Sequence, residues 1–244
     1  LHLLLPEVPA VRRALAGLAA ALALAAPASA AAEPPVWVVR DADSEMVLFG
    51  SVHVLPPGLD WRPASLERAL ARADDVWFEL PVTPQAEQEV AQLAAALGVL
   101  PPDKSLFAML PKAEAARLAR VAAVLGADRA ALDRLEPWLA EVMLGAAAYR
   151  RAGADADSGV EKALAATAPP GARRRALETP AEQIGIFDRG PLAEQLASLA
   201  ETVRELDENP DAYRELIAAW LAGDVDGLDQ QALEPMRKAT PGLF

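Results

Sequence analysis

From Met46 to Leu80 the chain writes an apolar strand, an amphipathic helix and a second apolar strand, in about 35 residues, the spacing of a βαβ unit. Met46-Val-Leu-Phe49 continues through Gly50 and Ser51 to Val52. Leu66, Ala69, Leu70 and Ala73 then share one face of a helix whose first turn holds Pro63, and Asp75-Val-Trp-Phe-Glu-Leu80 follows. Crossovers of this kind join parallel strands, so strands 46–52 and 75–80 are expected to be parallel neighbours. Upstream, Val36-Trp-Val-Val39 is separated from Met46 by the polar cluster Asp41-Ala-Asp-Ser44, which reads as a strand entering a tight turn.

From residue 84 the pattern becomes helical. Thr83 is placed to cap a helix over 84–97, with Pro84 first and Gly98 as its stop. Helices are also expected at 111–125 before Gly126, at 129–135, at 137–151, and at 159–168 before Pro169-Pro170-Gly171. Residues 173–177 could form a further strand, a reading weakened by three consecutive arginines. Helices then fill 180–188, 191–207, 210–222 and 224–234, with no repeat period and no heptads. The expected architecture is a single α/β domain, a mixed sheet with a large helical insertion, mostly helical by residue count.

Composition removes whole classes of chemistry. Among 244 residues there is no cysteine, which excludes a disulfide framework, a thiolate nucleophile, an iron–sulfur cluster and Cys-ligated zinc. The only histidines are His2 and His53, so a site built on two or three of them is nearly excluded. A net charge of −12 argues against a nucleic-acid partner, which would need a basic face. Hydrophobic residues make up 53%, too many for a disordered chain.

Arg12 and Arg13, an apolar stretch, Pro27 and the triplet Ala28-Ser29-Ala30 read as a signal peptide over residues 1–30, with an upstream extension in 1–10. The uncharged residues 14–32 approach the length of a membrane span. Alanine contributes little transfer energy, however, and Pro27 interrupts the run, so a cleaved leader is preferred to an anchor. The expected product, residues 31–244, is exported, periplasmic or secreted, and meets the membrane only transiently through its leader.

Leu48-Phe-Gly-Ser-Val-His-Val-Leu-Pro56 delivers His53 at the C-terminal end of its strand, the edge where ligands bind in open α/β sheets. Gly50 is expected to let the backbone pass close to a ligand or a neighbouring strand. Parallel pairing would set Glu79 at the same edge, within a few ångströms of His53. An imidazole beside a carboxylate can bind a divalent metal or act as a base oriented by an acid. A lone histidine at a strand end is also commonly a hydrogen-bonded structural residue.

Those residues, with Ser158-Gly159-Val160-Glu161 and Leu177-Glu178-Thr179-Pro180-x-x-Gln183, occur in the order seen in the TraB/GumN family, which the chain resembles over 36–234. That family includes the animal Tiki proteins, manganese- or cobalt-dependent peptidases, and members linked to shutdown of peptide pheromones. The resemblance implies a mixed α/β fold and a metal-dependent hydrolase. It implies His53 as a metal ligand and Glu79 as a ligand or catalytic carboxylate. Glu161 is a further acidic position toward the metal, Glu178 one toward catalysis, and Gly50 and Gln183 shape the site. The family's second Gly-x-x-His, on a late apolar strand, has no counterpart before Phe244, so the chain is expected to be C-terminally incomplete or to have lost its chemistry.

Each candidate has a plainer reading. Glu161 suits a helix dipole without catalysis, Thr179 as a cap leaves Glu178 merely exposed, and Gln183 can bond back to its helix start. Arg175, in the run 173–175, is either part of a solvated face or a grip on a substrate carboxylate. Trp61, Trp138 and Trp220 read as core. Asp155 and Asp157 lack the closing glutamate of a calcium loop. Two functional expectations follow. The first is an exported metal-dependent hydrolase with a peptide or protein substrate and a divalent metal, manganese or cobalt. The alternative is a non-catalytic exported peptide-binding protein. The oligomeric state is not legible in the sequence.

Overall fold

A computed structural model describes residues 32–239; the expected signal peptide over 1–30 and the last residues, 240–244, lie outside the described residues. Val36–Arg40 (β1) and Glu45–Phe49 (β2) form the expected antiparallel hairpin. The Asp41 carboxylate closes its turn by accepting from the Ser44 amide at 2.7 Å and the Ser44 hydroxyl at 2.8 Å. Ala64–Leu70 (α1), with Leu66 and Leu70 buried, then leads to Asp75–Phe78 (β3).

The strand–helix–strand order holds, but the pairing differs from expectation. β3 pairs in parallel with Arg173–Ala176 (β4) and β2 pairs with β1, so the strands fall into two two-stranded sheets. The physical reason lies in Asp75. Its carboxylate takes hydrogen bonds from Arg173 and from Arg175, the latter at 2.7 Å, and these two guanidinium groups hold it well below the usual carboxylate range. Arg175 also lies over the Trp77 ring, 5.5 Å from its centroid. Arginines that weaken an isolated strand thus have partners on the neighbouring one.

The helices follow their local punctuation. Pro84–Leu97 (α2) is capped by Thr83, whose hydroxyl accepts from the Ala86 amide, and ends at Gly98. Leu106–Met109 (α3) is too short for periodicity to reveal. Lys112–Leu125 (α4) stops at Gly126, which adopts φ +70°. Arg129–Leu132 (α5), Pro137–Arg151 (α6), Val160–Thr167 (α7), Pro180–Asp188 (α8), Leu192–Glu208 (α9) and Ala212–Ala222 (α10) follow. The helix expected over 224–234 is divided into Val225–Leu228 (α11), a π-turn at Asp229–Leu233 and Glu234–Ala239 (α12).

Two apolar clusters hold the fold. In one, Leu118 and Val121 of α4, Leu144 of α6, and Leu199 and Val203 of α9 interlock. The other, beneath the β1–β2 hairpin, gathers Leu55, Trp61, Val160, Tyr213, Ile217 and Trp220. There the Phe49, Trp61 and Trp220 rings pack with centroids 5.8–6.0 Å apart. Trp61, Trp138 and Trp220 are buried, as core residues. Among the described residues no helix is long and apolar enough to cross a membrane.

Candidate functional site

The segment after β2 is fixed by its carbonyls. Gly50 O accepts from the Trp220 indole N–H at 2.9 Å, Val52 O from the Val160 amide at 3.0 Å, and Val54 O from the Tyr213 hydroxyl at 2.9 Å. Leu55 exchanges backbone bonds with Asp155 in an isolated antiparallel bridge. Val52 and Val54 pack on the aromatic cluster, which leaves Ser51 and His53 on the exposed side. A segment without regular strand pairing is thereby held at four consecutive points.

Gly159 sets how closely α7 approaches. A Cβ at this position would lie 2.1 Å from the His53 carbonyl oxygen and 2.8 Å from its carbon. Only glycine permits that backbone contact, which delivers Glu161, in the first turn of α7, beside the imidazole. Among the described residues no other backbone approaches Gly50. The nearest neighbour of a Cβ there would be Trp37 at 4.0 Å, ordinary contact, and the close backbone approach is found at Gly159.

His53 stands between two carboxylates. Its Nδ1 is 2.8 Å from Glu161 Oε1 and its Nε2 is 3.9 Å from Glu79 Oε2. The Glu161 side chain is recessed, 18% exposed, while Glu79 is 55% and His53 69% exposed. Contact with the Glu161 carboxylate raises the imidazole pKa above its ordinary value, against a smaller lowering from desolvation, and Glu79 adds to the rise. Burial alone would raise the Glu161 carboxyl, but His53, Ser51 and its own backbone N–H together hold it below the ordinary value. Despite the short distance, Glu161 Oε1 is buried without an aligned hydrogen-bond donor. Two donor atoms in contact yet not aimed at one another are free to converge on a third atom, and a nitrogen–oxygen pair suits a divalent ion.

Among the described residues no group of three or more His, Asp or Glu side chains is gathered tightly enough to hold a metal. His53 and Glu161 supply two donors, and Glu79 stands back from them. The remaining candidates divide. The Glu178 amide donates to the Glu79 carbonyl at 2.9 Å, tying the ends of β3 and β4, while its side chain has no hydrogen bond or ion pair among the described residues. Gln183 likewise has no side-chain hydrogen bond among them; the reciprocal cap at the start of α8 is made by Thr179 and Glu182. Arg175 is engaged by Asp75 and Trp77.

Sequence reasoning missed Ser51, Tyr213 and Trp220 as supports of the site. The signal for the last two was the polar handle of a core aromatic, which seeks a carbonyl when buried. No curated protein and no solved structure matches the chain. The model of the TraB/PrgY/gumN family matches residues 35–243, and those residues contain the His53, Glu79, Glu161 and Glu178 segments. The chain belongs to the TraB/PrgY/gumN family.

Proposed function

We propose that the chain is an exported hydrolase of peptides that works at His53, Glu161 and Glu79 and uses a divalent metal, manganese or cobalt. The observation that supports this most is an imidazole flanked by two carboxylates, the nearer one recessed with an unused acceptor. Glu161 lies 2.8 Å from the ring on its Nδ1 side, and Nε2 faces the open edge. At 3.9 Å Nε2 and Glu79 are not bonded to each other, and both face the open edge, where a water can approach them from the side. Exposed Glu79 can take a proton from that water and carry it to a leaving amine. A divalent ion held by His53 and Glu161 would lower the pKa of a bound water and polarise a peptide carbonyl. Peptides are the proposed substrates because the family the chain resembles in these residues includes the Tiki peptidases.

The test is cleavage of internally quenched peptides in the presence of manganese, with and without chelator. His53→Ala and Glu161→Gln are expected to cut the rate at least about a hundredfold while the circular dichroism spectrum is retained. Full activity in either variant overturns the assignment. A second reading, a non-catalytic peptide-binding protein, is favoured by one observation, the missing three-ligand cluster among the described residues. In that case the peptide is recovered intact and its binding ignores chelator.

A further inference from the structure

Between the start of α2 and the outer face of α7 lies an open cleft of about 390 Å³, lined by Thr83, Pro84, Glu87, Lys162, Ala165 and Arg174 among others. That size falls among small-ligand sites. Lys162 is neutralised there by Glu87 at 3.0 Å and Asp157 at 2.8 Å. Arg174 is not. Strand alternation turns it away from Arg173 and Arg175, which share Asp75. Its guanidinium meets only carbonyls, those of Ala165 and Ala168 at 3.2 Å and Ala172 at 3.5 Å, and no carboxylate pairs with it among the described residues. Three carbonyl contacts leave part of its five-donor fork unused. The cleft therefore carries one cation with no carboxylate partner of its own among the described residues, in a chain of net charge −12, at the positive end of a 14-residue helix. Apart from Thr83, the rest of its wall is small and apolar: Val82, Pro84, Ala165 and Ala166.

Along the chain the cleft is close to the strand-end site. Lys162 follows Glu161 directly, Ala165 lies one turn beyond Glu161 on the same side of α7, and Val82 comes three residues after Glu79. We propose that this cleft is a subsite for the C-terminal residue of a peptide, with Arg174 clamping the terminal carboxylate and the alanine-lined wall taking a small aliphatic side chain. Nη2 is taken by the Ala165 and Ala168 carbonyls, so a carboxylate meets Arg174 through the remaining Nη1 and Nε N–H groups, a charge-assisted contact. The assignment rests on the reading of the neighbouring site as one that handles peptides, and names which end of the peptide it holds.

The probes are N-acetyl-alanyl-valine and its C-terminal amide, titrated into the full chain and followed by NMR, which reads binding and probe integrity together. The free acid is expected to bind at least about tenfold more tightly than the amide, about 1.4 kcal/mol, with shifts at Thr83, Lys162 and Ala165. Arg174→Gln is expected to bring the acid down to the level of the amide, and Arg174→Lys to fall between, at an unchanged amide affinity. Equal affinities for acid and amide on the unaltered chain overturn the proposal, as does an acid preference that survives Arg174→Gln. Inorganic phosphate competing as well as the acid overturns the peptide assignment in favour of a general anion site. The comparison on the unaltered chain decides even if Arg174→Gln fails to fold, because Arg174 also caps α7. Binding needs no turnover, so an inert chain that prefers the acid sinks the hydrolase reading alone, and an active chain indifferent to the carboxylate sinks the subsite alone.

Discussion

Gly159→Ala is the substitution whose cost can be worked most directly from the structure. The new methyl would sit 2.1 Å from a backbone oxygen, where real Cβ atoms keep at least 3.0 Å, so the Gly50–Leu55 segment or α7 must move by at least 0.9 Å (3.0 minus 2.1). Neither moves freely. The segment is pinned through the Gly50, Val52 and Val54 carbonyls, and α7 buries Val160 in the aromatic cluster. Overpacking of this kind costs about 1–3 kcal/mol. Loss of the Val160–Val52 backbone bond adds about 0.5–1.5 kcal/mol. A sum near 2–4 kcal/mol lowers the thermal midpoint of a chain this size by roughly 5–15 °C. Gly145→Ala is the control: nothing lies within 4 Å of its added Cβ, and it sits inside α6, so it should stabilise by up to about 1 kcal/mol. Calorimetry gives both midpoints, and NMR titration of the His53 ring in Gly159→Ala should show its pKa falling toward the ordinary value as Glu161 retreats. An unchanged midpoint with an unchanged His53 titration would refute the reasoning.

Tyr213→Phe removes the hydroxyl that satisfies Val54 O and should cost about 1–2 kcal/mol, read as a lower urea midpoint without a change in slope. Glu141 is raised by burial against the opposing hydroxyls of Thr202 and Ser198, so the folded chain holds its proton more tightly than the unfolded one. Its carboxyl therefore contributes stability below the ordinary glutamate value of 4.5, and that contribution is lost as pH rises through the raised value. Glu141→Gln should melt higher than the parent chain at neutral pH, with the difference closing as pH is lowered to about 4; a difference independent of pH would contradict this.

What could be read in advance was local. The Asp41–Ser44 turn and the Thr83, Pro84 and Gly98 punctuation of α2 are written in neighbouring residues, and those elements lie where the sequence placed them. The partner of β3 was not readable, because Asp75 and Arg173 are 98 residues apart and nothing near either residue announces the other. His53 and Glu79 do come together, but their strands pair with β1 and β4, so the side chains meet across sheets that are not hydrogen-bonded neighbours. The choice between Gly50 and Gly159 shows the same limit. Which glycine is compelled depends on what approaches it from elsewhere in the chain, and sequence patterning carries no such distance. Glu161 occupies the first turn of α7, where a carboxylate suits the helix dipole, and the same position sets it 2.8 Å from His53.

The claim at the centre is that His53 and Glu161, with Glu79 behind them, act as one divalent-ion site. Equilibrium binding of manganese, followed by electron paramagnetic resonance on the full chain, tests it most directly. The expected result is one ion per chain, lost on His53→Ala and on Glu161→Gln at an unchanged melting temperature, and weakened by Glu79→Gln. Stoichiometric manganese on the His53→Ala protein, or none on the unaltered chain, would contradict it.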